Sequence, residues 1–258
     1  MSDYGNNRVL ALPAGGGEQI TVPLDGLVRP TGMAWDSAGR LYVSDTGDNR
    51  VVILPPDGGE RSVVPTTGLW RPLGLAVDPA GNLYIADSFN DRIVKVAAGG
   101  GGQSTVATSG LLHPWGPAWA PGGRLYVSDF VDDRVVEVAV DGSGQSTVPT
   151  TGLSQPTGLA VNTAGDLYVS DSGNGRVVRV AAGGGPQTTV PVTGLNSPLG
   201  LALDGTGNLY VADGFGNRVL RVRETGGDQT TLAFTGLNTP TGLSFPPPTA
   251  RPRHEAGR

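Results

Sequence analysis

Residues 40–50 read RLYVSDTGDNR, and the chain returns to that phrase at one fixed interval. Tyr42, Tyr84, Tyr126, Tyr168 and Tyr210 stand 42 residues apart, and Asp45, Asp87, Asp129, Asp171 and Asp213 keep the same spacing. One interval before Asp45 and Arg50 lie Asp3 and Arg8, so a sixth copy is under way as the sequence opens. A second phrase keeps the beat. Pro30, Pro72, Pro114, Pro156, Pro198 and Pro240 are each followed two residues later by Gly32, Gly74, Gly116, Gly158, Gly200 and Gly242.

Within one copy, residues 69–110, the runs GLAVD, LYIAD, RIVKVA and QSTVAT are separated by Pro, Gly, Asn and Asp. Short runs rich in Val, Ile, Leu and Tyr, parted by turn residues, predict antiparallel strands, and no window carries the 3.6-residue apolar period of a helix. Each copy is therefore a four-stranded meander, with strands a to d. A lone meander leaves both faces wet, so copies must stack, and a repeat of about 40 to 45 residues with four strands is a propeller blade. Six copies predict an all-β, six-bladed β-propeller over 1–245. One blade is shared between the termini: strands c and d come from residues 8–12 and 19–23, and strand a from 241–245. Its strand b is expected to be missing, because the matching positions fall on PPPTARPR (246–253), where proline cannot donate to a ladder. Residues 246–258 read as a Pro- and Arg-rich mobile tail. The small residue of strand a, such as Ala34 or Ala76, is expected nearest the axis.

Composition excludes several classes of function. The 258 residues carry a net charge of −5, so there is no cation excess to neutralise phosphates, and nucleic acid is not an expected partner. Cysteine is absent, which removes disulfides, thiolate metal sites and cysteine nucleophiles. No apolar run approaches the roughly 18 residues of a membrane span.

The repeat P-x-G-[LM]-A-[VWL] through [LY]-Y-[VI]-[SA]-D to N-R-V-V resembles the NHL-repeat family of β-propellers. In particular it is similar to the six-bladed extracellular sensor domain of the PknD-type bacterial receptor serine/threonine kinases. The resemblance implies a sensor or binding module in an extracytoplasmic setting. It covers residues 1–245, and the family includes protein-binding modules, RNA-binding modules and lyase relatives. The even spacing of all copies also fits recent duplication or an engineered origin.

Asp45 with Arg50, Asp87 with Arg92, Asp129 with Arg134, Asp171 with Arg176 and Asp213 with Arg218 flank the b–c turns. Recurrence in every blade marks these pairs as fold residues. Asp- and Asn-rich loops such as TGDN and FVDD lack the acidic alternation of a calcium loop, and no metal or cofactor is expected. A site need act on only a few blades, so departures from the repeat are more informative. The d–a and b–c loops share one face of the disc. Ahead of the repeated Pro they read Val28-Arg29, Trp70-Arg71 and, with a shift of one residue, Leu111-Leu112-His113, against Ser154-Gln155, Asn196-Ser197 and Asn238-Thr239 elsewhere. Trp115 follows Pro114, and the b–c loops add Phe89, Asp91, Phe130, Asp132 and Asp133. Arg29, Trp70, Arg71, Phe89, His113, Trp115, Phe130 and Asp132 thus predict a binding face for a protein, peptide or glycan, since aromatic residues and Arg are the usual anchors of recognition. Trp35 and Trp119, on strand a, are expected between blades. The segment WGPAWAPGG (115–123), which loses the turn Asp at Ala120, predicts a distorted blade edge.

Two alternatives stand beside the binding face. One is a lyase or hydrolase using His113 with Asp91 or Asp132 as an acid–base pair at the channel mouth; the other is a structural scaffold without a ligand.

Overall fold

The computed structural model describes residues 1–13, 17–224 and 226–247, and residues 248–258, most of the expected tail, lie outside them. Five four-stranded antiparallel sheets follow one another along the chain. Blade 1 is Pro30–Trp35, Leu41–Asp45, Arg50–Leu54 and Ser62–Val63. Blade 2 runs from Pro72–Val77 to Gln103–Thr105, blade 3 from Pro114–Ala120 to Gln145–Thr147, blade 4 from Pro156–Val161 to Gln187–Thr189, and blade 5 from Pro198–Leu203 to Thr230–Thr231.

The sixth blade joins the two ends. Its sheet is Ser2–Asp3, Arg8–Ala11 and Ile20–Thr21. The b–c turns of blades 1, 2, 4 and 6 each hold a single 3-10 turn. The chain from Pro240 runs alongside the sixth sheet, with the Ser2 amide donating to the Gly242 carbonyl and the Thr241 amide to the Ser2 carbonyl, both at 2.9 Å. The missing strand b is therefore reduced to a remnant. Met1, Ser2 and Asp3 occupy the places of Val43, Ser44 and Asp45, and Met1 pairs with Leu10 as Val43 does with Val52. The Met1 amine is buried and donates to the Leu10 carbonyl at 2.6 Å. Burial pushes its pKa down to about 5, against a smaller upward pull from Asp3.

Among the described residues, apolar side chains of adjacent blades meet in six separate cores. One joins Ala34, Tyr42 and Val51 of blade 1 to Leu75, Ile85 and Val94 of blade 2, and the smallest joins Met1 and Leu10 to Val219 of blade 5. Trp119 stacks on Tyr84 across the blade 2–3 interface with centroids 5.7 Å apart, and Trp35 packs against the core between blades 6 and 1.

The residue nearest the axis is not the alanine. In blades 1 to 5 the register between strands a and b slips after the repeated Pro, as between Pro30 and Met33. The two intervening residues leave the ladder in a bulge and face the next blade. There the six glycines form a ring in which a Cβ on Gly32 would meet Gly74, and so on round to Gly242, which would meet Thr31 and Gly32. Ala34 and Ala76 instead pack between blades. The bulge in blade 3 is shared by the other four complete blades, and Pro117 pairs with Val127 as Leu75 does with Ile85; the departure expected at WGPAWAPGG is confined to its end, where strand a runs one residue further and Ala120 pairs with Arg124.

Candidate binding face

Each b–c turn is bound to the d–a loop entering its blade. Asp45, with no exposed surface, accepts the Val28 amide at 2.6 Å on one oxygen and Arg50 Nε at 2.7 Å on the other. Arg50 also reaches the Gly26 carbonyl at 3.2 Å. The same three bonds recur on Asp87 with Arg92, on Asp129 with Arg134 and on Asp3 with Arg8. In blade 4, Arg176 donates through Nε to Asp171 at 2.5 Å and through its terminal nitrogen to the Gly152 carbonyl at 2.9 Å, while the Ser154 amide takes the other Asp171 oxygen. In blade 5, Arg218 donates to Asp213 at 2.9 Å and to the Gly194 carbonyl at 2.5 Å, and the Asn196 amide completes the set. Arg176 and Arg218 thus hold loops that carry no exposed Trp, as Arg92 holds the loop that does, so these arginines serve the blade and not the recognition cluster. The carboxylate in each case joins two loops of the face.

A further bond sets the residue before the Pro in every blade but the fifth, where Gly175 has no side chain to accept the Ser197 amide. Arg29, Arg71, His113, Gln155, Ser197 and Thr239 all have φ between +49° and +60°, a left-handed conformation rare for non-glycine residues. Asn49 Oδ1 accepts the Arg71 amide at 2.7 Å, and Asp91 Oδ1 the His113 amide at 2.8 Å. The turn of one blade thereby fixes the side chain displayed by the next.

Two positions per blade then decide what solvent meets. The residue two before the Pro accepts, through its carbonyl, the amide of the second b–c residue, as Trp70 does from Phe89 and Leu112 from Val131. These pairs are Val28/Gly47, Trp70/Phe89 and Leu112/Val131 on blades 1 to 3, then Ser154/Gly173, Asn196/Phe215 and Asn238/Gly5. Trp70 is 53 % exposed, Val131 49 %, Leu112 41 %, Phe89 38 % and Val28 37 %. An apolar arc thus covers blades 1 to 3. No one-residue shift occurs ahead of Pro114: His113 occupies the Arg71 place, and Leu111 is buried like Leu69.

At the centre of the arc the predicted residues converge. Phe89 lies between Trp70, at 5.4 Å and 54°, and the His113 imidazole, stacked at 4.8 Å and 15°. The Arg71 guanidinium sits 5.1 Å from the Phe89 centroid, and its Nε is buried without a hydrogen-bond partner. Trp115 and Phe130 form a second pair at 5.4 Å. Two predicted residues stand apart. Arg29 belongs to blade 1 and joins none of these aromatic contacts, and Asp132 lies 3.4 Å from Arg134. Asp91 Oδ1 receives the His113 backbone amide.

Phe215, at the Phe89 place of blade 5, is 66 % exposed and is absent from the predicted set, although aligning GFGN with SFND reveals it. The axial cavity beneath the face, lined by the glycine ring with Met33, Leu75 and Trp115, is about 70 Å³. That admits a few waters rather than a substrate. Among the described residues no group of three His, Asp or Glu is placed to hold a metal, and no helix is long and apolar enough to cross a membrane.

The NHL repeat profile matches residues 27–54, 69–96 and 153–180. No curated protein sequence matches the chain. Among solved structures it superposes on one from a nidogen/laminin complex (TM-score 0.76, 24% identity, 85% of this chain and 88% of that one). It superposes equally on a protein described as a gluconolactonase (0.76, 24%, 92% and 87%). A virginiamycin B lyase from Staphylococcus aureus, in an inactive form with quinupristin, follows at 0.67 and 14% identity, over 88% and 78%. At these identities the likeness is one of fold.

Proposed function

We propose that this ring of NHL repeats is a non-catalytic module that binds a protein, peptide or glycan on the d–a/b–c face of blades 2 and 3. The observation that carries the reading is the Trp70/Phe89/His113 cluster with Arg71 over the Phe89 ring. Exposed rings offer flat apolar contact to an aliphatic side chain or a sugar face, and a guanidinium with no ion pair among the described residues offers charge to a carboxylate or carbonyl. The small axial cavity, and an imidazole occupied in stacking, support binding over catalysis. The superposition on a propeller from a nidogen/laminin complex is consistent with a protein ligand. In this reading the chain serves as the extracytoplasmic sensor of a bacterial receptor serine/threonine kinase, the setting its resemblance to those domains implies. Flanking sequence with a membrane span and a kinase domain would test that setting.

A peptide and glycan array probed with the wild-type chain tests the binding face. Trp70→Ala and Arg71→Ala should each remove the signals that the wild type gives, while Phe215→Ala, across the disc, keeps them. Trp70 is over half exposed, so the melting temperature of Trp70→Ala should stay within about 3 °C of wild type. Equal signals from all three variants would contradict the assignment.

A further inference from the structure

The opposite face, formed by the a–b and c–d turns, carries its own repeated clasp on the blade tyrosine, and in one blade that tyrosine is left without a partner. The hydroxyls of Tyr42, Tyr84 and Tyr210 donate to Asp36, Asp78 and Asp204 of their a–b turns at 3.2, 3.1 and 3.0 Å. Tyr168, whose turn carries Asn162, donates to Glu224 at 2.8 Å. In blade 3 the turn residue is Ala120, and among the described residues the Tyr126 hydroxyl has no partner.

Beside that hydroxyl a groove of about 500 Å³ opens between blades 3 and 4, lined by Ala120, Tyr126, Glu137, Thr147, Thr163 and Gly184, among others. That volume is within the range of small-ligand sites. The strand register sets Tyr126 opposite Glu137 and Glu137 opposite Ser146, so a phenol, a carboxylate and a hydroxyl form one row along the groove. Blades 2, 4 and 5 put Lys95, Arg179 and Arg221 where blade 3 has Glu137. The nearest cation, Arg124 Nε, is 3.7 Å from Glu137 Oε1, looser than the 2.5 to 2.9 Å Asp–Arg pairs of the other face. Burial, then the nearby Glu137, push the Tyr126 hydroxyl pKa up, which keeps it protonated.

We infer that this groove binds a primary alkylammonium group, with the Glu137 carboxylate as counter-ion, the Tyr126 hydroxyl as a hydrogen-bond acceptor and the tyrosine ring flanking the alkyl chain. A carboxylate beside a phenol suits an ammonium, which needs acceptors for three N–H donors, and the ring gives the alkyl chain an apolar contact. The ammonium could come from a lysine side chain or a free polyamine, and the test separates the two.

Calorimetric titration of the folded chain with N-acetyl-lysine methylamide and with putrescine, against N-acetylglutamate as the control, tests the site. At least one amine should bind saturably and the control should not; the amine that binds more tightly identifies the source. Glu137→Lys, which installs the residue type blade 2 already carries, should abolish binding, and Tyr126→Phe should weaken it about fivefold, both with wild-type circular dichroism. Absence of amine binding to the wild type, or unchanged affinity in either folded variant, would overturn the inference.

Discussion

Gly200→Ala should destabilise the chain by about 3 kcal/mol or more, read as a large drop in the denaturant midpoint. A methyl on Gly200 would collide with the Thr241 carbonyl oxygen and stand 3.2 Å from the Gly242 Cα. Those neighbours are backbone of the next blade, so no side chain can rotate away; relief requires moving one blade outwards, which opens the ring at the junction of its two ends. Gly205→Ala is the matched control. Its added methyl meets nothing within 4 Å and its φ is not in the left-handed range, so a change within about 0.5 kcal/mol is expected. Equal stability of the two variants would mean that the glycine ring does not hold the blades at their observed approach.

Asp87→Ala should cost about 3 kcal/mol as well, by another route. Asp87 is fully buried and accepts the Trp70 amide at 2.7 Å, Arg92 Nε at 2.7 Å and Asn90 Nδ2 at 2.8 Å. Removing it strands a backbone donor and leaves a guanidinium, about a third exposed, without its counter-charge. Asp87→Asn should lose clearly less, because its side-chain oxygen can still receive the Trp70 amide. The variant separates fold from site: because Asp87 holds the loop that displays Trp70, Asp87→Ala should lose stability and array signal together, whereas Trp70→Ala should lose the signal alone. Chemical denaturation of the three proteins side by side makes the comparison.

Blade number and strand order were legible because one apolar alternation recurs six times, and a repeat constrains every copy alike. The clasp was legible for the same reason: Arg176 and Arg218 keep their places five residues after Asp171 and Asp213, and each closes its turn as expected. The aromatic cluster stood out by contrast, since Trp70, Arg71 and His113 depart from a pattern that Ser154, Asn196 and Asn238 keep. What escaped depends on backbone geometry. Nothing in P-x-G shows that the register slips there, so the axial place seemed to fit alanine. The left-handed residue before each Pro, which aims Arg71 and His113, has no local residue preference to reveal it. The Tyr126 hydroxyl could be recognised as partnerless only once Tyr84 was seen bound to Asp78, although the change at Ala120 was plain in the sequence. The remnant of strand b depended on whether three residues suffice to pair with Leu10, a question of packing rather than of pattern.

Closure of the ring by the two ends underlies all of this, since an open array would separate the glycine ring and splay the face. In isotopically labelled protein, the scalar coupling across the hydrogen bond from the Ser2 amide nitrogen to the Gly242 carbonyl carbon reports that junction directly. The observed geometry, 2.9 Å between Ser2 N and Gly242 O, predicts a measurable coupling comparable to that between Val64 N and the Val51 carbonyl, which has the same 2.9 Å separation within blade 1. Detection of the second coupling without the first would contradict a closed six-bladed ring.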